Sequence, residues 1–101
     1  MDISSLKKDD ILVGRSERIR FFKVLKVFPK SVKVILLKPI KENYKNIACK
    51  VTPSDIPYEG AKSMLAKRIQ LKDDEALLMP YRACDLLQKY NPLMNYIDNS
   101  L

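Results

Sequence analysis

The chain has 101 residues, of which 47% are hydrophobic and 31% charged, as is typical of one folded domain. Its 19 lysines and arginines outnumber 12 acidic residues and give a net charge of +7. The absence of histidine excludes Ser-His and Cys-His nucleophile pairs, and two glycines are too few for a glycine-rich phosphate loop. We therefore expect a protein that is not an enzyme and needs no cofactor.

The positive charge is concentrated in the first half of the chain. Residues 1–50 hold 13 basic and 5 acidic side chains, whereas residues 51–101 hold 6 basic and 7 acidic side chains. Such asymmetry predicts a positive face that attracts a phosphate backbone or an acidic protein surface. The simpler alternative is that the charge only keeps a small domain soluble.

The cellular compartment is predicted from the absence of a membrane span and of a signal peptide in the sequence. No apolar run approaches the roughly 18–20 residues of a membrane span, and no apolar segment follows the first lysines as in a signal peptide. We therefore expect a cytoplasmic (intracellular) protein with no membrane partner. Cys49 and Cys84 are too few for a zinc site, so we expect no metal and two free, half-buried cysteines, with a disulfide as the alternative.

The first predicted elements are β-strands. Residues 11–13 form a short apolar run that Gly14 is expected to stop. Residues 19–28 and 32–37 are rich in β-branched and aliphatic side chains, and the three residues between them, Pro29-Lys30-Ser31, allow only a tight turn. The sequence therefore predicts a β-hairpin.

One strand of this hairpin changes its buried face midway. Phe22 and Val24 share one face by the period of two, whereas Leu25 and Val27 share the other. A strand with such a phase slip usually contains a β-bulge, which helps small barrels to close. Pro39 is then expected to end the second strand, residues 41–46 to be a polar connection and residues 47–51 to be a further strand.

The second half permits more than one interpretation. Residues 60–70 fit either a three-turn helix or an extended segment that leads into a strand at 69–71. Residues 72–75 are expected to form a turn and 76–79 a strand. The acidic run Asp73-Asp74-Glu75, like Asp9-Asp10, is typical of a solvated turn rather than a metal site.

The end of the chain shows helical spacing. Apolar residues repeat at three and four positions after Pro80, which predicts an amphipathic helix over 80–91 that Pro92 terminates. The apolar face of this helix is expected to be core, with a dimer seam as the alternative. The following tail could dock Met94, Tyr96 and Ile97 onto the body or hang free.

A basic group on the predicted hairpin is the candidate binding site. Lys23 alternates with Phe22 and Val24, so its ammonium group is expected to project away from the core. Like charges on neighbouring strands cost up to about 1 kcal/mol per directly opposed pair, which favours a use for a partner. The candidate residues are Arg18, Arg20, Lys23, Lys26, Phe28, Lys30, Lys33 and Lys38.

Three explanations of these lysines stay open. Lysine attracts phosphate backbones with little sequence specificity, and Phe28, together with Phe21 or Tyr44, could stack on unpaired nucleic-acid bases. Alternatively, the same surface belongs to an inhibitor or adaptor that docks on a protein such as a host enzyme. In the third explanation, lysines on edge strands only prevent aggregation.

The hairpin motifs Asp10-Ile11-Leu12, Phe22-Lys23-Val24-Leu25-Lys26-Val27 and Lys30-Ser31-Val32-Lys33-Val34 carry a resemblance. The chain resembles small SH3-like β-barrel proteins encoded by phages and mobile genetic elements, with further similarity at Val51-x-Pro53 and Lys67-Arg68-Ile69. The resemblance implies an SH3-like barrel and an accessory role during infection or element transfer. The chain departs from this group at Asp9, where the group has Gly, and at 15–18, where the group has a longer Gly/aromatic loop.

The predicted fold is mainly β with a C-terminal helix (α+β): a small, SH3-like, partly open antiparallel barrel. It forms a single domain over residues 1–101 and is a monomer or a homodimer. The predicted function is a non-catalytic module that binds nucleic acid through the basic hairpin. The parts of the domain are a flexible lead-in at 1–8, the barrel at 10–79, the helix at 80–91 and the tail at 92–101.

Overall fold

The computed structural model describes residues 5–15, 19–45, 48–57, 70–71, 76–84 and 86–98. This part of the chain is mainly β, as predicted, and its eight strands form one curled, open antiparallel half-barrel. The α-helix in this part of the chain is limited to the single turn α1, Tyr81–Cys84. The strands are β1 Ile11–Arg15, β2 Ile19–Val27, β3 Ser31–Tyr44, β4 Ala48–Pro57, β5 Gln70–Leu71, β6 Ala76–Pro80, β7 Leu87–Lys89 and β8 Ile97–Asp98.

β3 is the central strand of the sheet. The strand order is β5-β6-β3-β2-β1-β7, while β4 pairs with β3 and with β8. Leu37 of β3 pairs with Phe21 of β2 on one side and with Pro57 of β4 on the other. Because β6 also pairs with β3 opposite β2, β6 and β4 follow each other along one edge of this long strand.

The predicted hairpin and its bulge are confirmed. The Phe28 N–H donates to the Ser31 carbonyl over 2.8 Å and closes the turn between β2 and β3. The β2–β3 register shifts between Val24 and Lys26, so Leu25 is the extra residue of a β-bulge. A local apolar pattern was sufficient to predict this irregularity.

Pro39 does not end β3, contrary to the prediction. The strand continues to Tyr44, and the predicted polar connection is largely strand. Pro39 lies where the β3–β4 register shifts, a position at which its missing N–H is tolerated. There the Ser54 hydroxyl donates to the Lys38 carbonyl over 2.6 Å and accepts the Ile56 N–H over 3.2 Å, so a side chain replaces part of the ladder.

The helix predicted over 80–91 is wrong. After α1 the chain forms β7, which pairs with β1 and places Leu87 opposite Gly14. Leu87 is buried and Leu86 is 83% exposed, whereas a helical stripe would cover both. Gly14 does not stop β1, which continues to Arg15, and a Cβ atom at Gly14 would lie 3.2 Å from Leu87 Cδ2.

Within the described residues, two strands, β5 and β6, lie between β4 and α1. The predicted strand at 76–79 is confirmed as β6, which extends to Pro80, and Gln70–Leu71 form β5. The two interpretations of residues 60–69 and the acidic turn at 72–75 lie outside the described residues.

The half-barrel has a core on each face. Neighbouring residues such as Leu12 and Val13, or Phe21 and Phe22, belong to different apolar clusters, because alternate residues of a strand point to opposite faces. The main core comprises Leu6, Leu12, Phe22, Val24, Val32, Val34, Leu36, Met79 and Leu87. The second core comprises Val13, Phe21, Leu37, Val51 and Tyr96, with Ile11, Ile19, Ile35 and Tyr90 packed against it.

Both ends of the described chain dock onto the sheet. Leu6, which falls in the predicted flexible lead-in, is buried in the main core, while Lys7 and Lys8 are exposed. At the other end, residues 90–98, here named the strap, cross the second core, and the Val51 N–H donates to the Tyr96 carbonyl over 2.8 Å. Of the three tail residues expected to dock, Tyr96 is buried and Ile97 is half-buried, whereas Met94 is 41% exposed. Within the described residues, no helix is long and apolar enough to cross a membrane.

Candidate nucleic-acid interface

Three of the predicted lysines lie together on the second-core face, at the turn end of the β2–β3 hairpin. Lys23 pairs with Ile35, and Lys26 pairs directly with Lys33. Because cross-strand partners share a face, the three side chains emerge beside one another. We name Lys23, Lys26 and Lys33 the hairpin lysine cluster.

The bulge at Leu25 creates this cluster. In a regular strand, residues 23 and 26 point to opposite faces, since three positions is an odd number. The extra residue restores Lys26 to the face of Lys23 and sets it opposite Lys33. The sequence predicted the bulge, but not that the bulge would gather the lysines.

The hairpin lysine cluster brings like charges close together. Lys26 and Lys33 are like charges at directly opposed positions, an arrangement that costs up to about 1 kcal/mol. Lys23 Nζ lies 3.8 Å from Asp9 Oδ1, with the two side chains 31% and 65% exposed, so solvent screens this ion pair. The cluster therefore places three ammonium groups side by side at the turn end of the hairpin, where an anionic partner can approach them.

Phe28 adds an aromatic ring to the same end of the hairpin. Its side chain is half-buried, and Lys26 Nζ lies 5.2 Å from the ring centroid in a cation–π contact. The Phe28 carbonyl accepts a hydrogen bond from the Tyr81 hydroxyl of α1. Lys30 is exposed at the turn itself. The turn is thus anchored on its backbone while its charged groups reach solvent.

The other predicted site residues do not join this group. Arg20 lies two positions before Phe22 on β2 and therefore shares its main-core face. It is at the far end of the strand from the turn, where it pairs with Gly14. It is half-buried, and its buried Nε has no hydrogen-bond partner among the described residues. Lys38 is exposed beside the β3–β4 register shift, and Arg18 lies outside the described residues. The eight predicted residues therefore do not form one continuous site.

Comparisons with protein-family models, with curated proteins and with solved structures find no match for this chain. The resemblance to SH3-like barrels of phages and mobile elements stays a prediction.

The turn between β3 and β4 is a second basic and aromatic feature. Lys45 Nζ lies 5.2 Å from the centroid of the half-buried Tyr44 ring, the same separation as in the Lys26–Phe28 pair. The prediction of a polar connection at residues 41–46 gave no indication of this similarity, because β3 in fact continues to Tyr44. Of the two further stacking candidates, Tyr44 is placed at a turn, whereas Phe21 is fully buried and cannot contact a base.

Other chemistry is sparse in the described residues. None of their His, Cys, Asp and Glu side chains form a group of three that could hold a metal ion. Cys49 is a buried thiol whose Sγ donates to the Asp98 carbonyl oxygen over 3.6 Å. The two basic turns are the surfaces that suggest a ligand.

Proposed function

We propose that this protein is a non-catalytic module that binds nucleic acid through the hairpin lysine cluster together with Phe28 and Lys30. The observation that carries the proposal is the directly opposed pair Lys26 and Lys33, which the bulge sets on one face of the hairpin beside Lys23. Phosphate groups are the anionic complement of such closely spaced ammonium groups, and each contact releases counterions from the nucleic acid.

The chemistry of the surface indicates what is recognised. Lysine ammonium groups are point charges that contact phosphates, and they discriminate poorly among bases. The Phe28 ring supplies a stacking surface that accepts any base. Binding should therefore depend strongly on salt and weakly on sequence.

The finer fold and setting are part of the same proposal. The half-barrel is an SH3-like barrel, and the protein acts in the cytoplasm as an accessory protein of a phage or mobile element. The support for this is the resemblance in residues 22–27 and 30–34, the two strands that carry the cluster. A nucleic-acid ligand is consistent with such a role.

The proposal is tested by matched triple variants. Lys23→Gln/Lys26→Gln/Lys33→Gln should weaken binding to a short fluorescent oligonucleotide by tenfold or more at low salt, measured by anisotropy. The slope of log K against log salt should fall in magnitude by about 2, because each lost phosphate contact contributes about 0.7 for single strands. The control Lys41→Gln/Lys45→Gln/Lys50→Gln removes the same charge from the β3–β4 hairpin and should stay within about twofold of wild type on this short probe.

Two results would contradict the proposal. One is the absence of binding tighter than about 10 μM at low salt, where non-specific affinity is strongest. The other is a protein partner whose capture depends on the cluster and persists after nuclease treatment, which would make the surface a protein-docking face. Circular dichroism and thermal unfolding of both triple variants establish that each is folded.

A further inference from the structure

A bulge of β4 presents a carboxylate and an apolar side chain to solvent. Where the β3–β4 register shifts, residues 54–56 of β4 lie beside Lys38 alone. The Ser54 hydroxyl donates to the Lys38 carbonyl over 2.6 Å, which fixes the bulge against β3. Asp55 and Ile56, the next two residues of the bulge, are exposed. Both side chains are therefore accessible to a partner.

Two cations lie beside this bulge. Phe21 pairs with Leu37 in an antiparallel register, so Arg20 and Lys38 occupy the next positions along β2 and β3 and lie side by side. Within the described part of the chain, neither cation forms an ion pair, and neither does Asp55. Two positive charges and one negative charge thus adjoin one another without neutralising contacts among the described residues.

Exposed isoleucines flank these charges. Ile40 follows Lys38 by two positions on β3 and shares its face, and it is 47% exposed, while Ile56 is 60% exposed. By the same alternation, this face is opposite to that of Lys33, so the group is separate from the hairpin lysine cluster. We name this group the bulge patch; it comprises Arg20, Lys38, Ile40, Asp55 and Ile56.

The composition of the bulge patch fits a protein surface better than a nucleic acid. A carboxylate within the patch repels phosphate groups, and isoleucine has no aromatic ring on which a base could stack. Arginine and apolar side chains are instead typical of protein interfaces. Among the described residues the buried Nε of Arg20 has no hydrogen-bond partner, and a buried donor without an acceptor is unfavourable. The matching surface therefore needs a carboxylate for Arg20 and a cation for Asp55.

We infer that the partner is a second copy of this chain, bound through the bulge patch of both copies. In a twofold-symmetric dimer the same patch contacts itself, so each cross contact occurs twice. Asp55 of the partner subunit then pairs with Lys38 and Arg20, and the isoleucines pack between these ion pairs. The inference goes beyond the proposed function and does not rest on it, because the hairpin lysine cluster lies on the other face and stays accessible.

The dimer is expected to be weak and to need moderate salt. Five side chains are fewer than the roughly 20–30 residues that each partner contributes to a standard interface, so we expect a dissociation constant on the order of 100 μM. Each copy carries a net charge of +7, and the two copies repel each other at low salt. At about 0.15 M salt the screening length is about 8 Å, which weakens this distant repulsion more than the adjacent pairs.

Sedimentation velocity at this salt, over a range of protein concentrations, tests the inference with charge reversals. Lys38→Glu and Asp55→Lys each bring like charges together in a symmetric dimer, and each should weaken self-association at least tenfold. An equal mixture of the two variants should dimerise again, because each supplies the charge that the other lacks. Ile40→Ser/Ile56→Ser should also weaken the dimer. Lys41→Glu reverses an exposed lysine on the opposite face of β3, with the same change in net charge as Lys38→Glu, and should match wild type.

Three results would overturn the inference. They are a wild-type protein that stays monomeric at about 1 mM, tenfold above the expected dissociation constant, a dimer that Lys38→Glu leaves unchanged, and a mixture that associates no better than its components. Circular dichroism of each variant establishes that it is folded.

Binding of the short fluorescent oligonucleotide separates this inference from the proposed function. Lys38→Glu should leave that binding within about twofold of wild type, and the triple glutamine variant of the hairpin lysine cluster should still dimerise. A tenfold loss of oligonucleotide binding in Lys38→Glu would assign the bulge patch to nucleic acid and contradict the dimer. Failure of wild type to bind the oligonucleotide would overturn the proposed function and leave the dimer standing.

Discussion

Asp9 has a backbone conformation that favours glycine. Its φ is 74°, in the left-handed region that L-residues with a Cβ atom seldom occupy. Hydrogen bonds on both sides hold the turn in place, because the Asp9 N–H donates to the Val24 carbonyl and the Val24 N–H donates to the Asp10 carbonyl, each over 2.8 Å. The positive φ therefore makes this a position where glycine would be accommodated without strain.

The stability of variants at Asp9 should therefore depend on backbone strain rather than on the loss of charge. We expect Asp9→Gly to be more stable than Asp9→Ala by about 1 kcal/mol, with Asp9→Asn between them, since asparagine tolerates the left-handed region. All three variants lose the ion pair with Lys23, so the comparison removes its effect. Urea unfolding gives the free energies.

Lys8 provides the control for this series. It is exposed and has no positive φ, so Lys8→Gly should be less stable than Lys8→Ala. If glycine and alanine rank the same way at Asp9 as at Lys8, the left-handed turn does not form in solution.

At the scale of elements, the contact between Gly14 and Leu87 distinguishes a strand from a helix at the end of the chain. β7 places Leu87 against the side of β1 where Gly14 has no side chain. Leu86, the preceding residue, points to solvent. An amphipathic helix over the same residues would bury Leu86 and Leu87 together.

A double-mutant cycle measures this contact. Gly14→Val should destabilise the protein by about 1–3 kcal/mol because the new side chain meets Leu87, which lies 3.2 Å from even a Cβ atom. Leu87→Ala makes room, so the double variant should be less destabilised than the sum of the single changes by about 1 kcal/mol. The same cycle with Leu86→Ala should be additive, and coupling to Leu86 instead would contradict β7.

Elements set by local pattern were predictable, and those that depend on a distant partner were not. Turn residues and the phase slip at Leu25 were sufficient for the β2–β3 hairpin. β3 continues through Pro39, where the hydroxyl of Ser54, a residue of β4, donates a hydrogen bond to the Lys38 carbonyl. Likewise, β7 forms where the apolar spacing favours a helix, because tertiary pairing with β1 overrides local preference.

In the candidate site, too, some features follow from local sequence and others depend on distant pairing. The residue types of the hairpin lysine cluster were evident in the sequence, but their common face depends on the register after the bulge. Arg20 is close to them in sequence, but strand alternation turns it to the other face. The likeness of the two turns required the true length of β3, which the presence of Pro39 concealed.

At the scale of the whole molecule, the strap connects two separate parts of the sheet. It leaves β7, which pairs with β1, and ends in β8, which pairs with β4. Tyr96 is the centre of this connection: its ring packs edge-on against Phe21 at 6.1 Å, and its hydroxyl accepts the Asn91 N–H over 3.0 Å. The second core is therefore completed only when the strap is in place.

Tyr96→Ala should accordingly destabilise the whole half-barrel by about 3–5 kcal/mol, the usual cost of truncating a large buried aromatic residue. Tyr96 is 1% exposed, whereas Leu93 in the same strap is 92% exposed, so Leu93→Ala is the matched control and should change stability by less than about 0.5 kcal/mol. Hydrogen exchange of Tyr96→Ala should show lost protection in both β1 and β4, because the strap contacts both. Loss confined to the strap would mean that the two edges are stable independently, and that the strap only covers a sheet already formed.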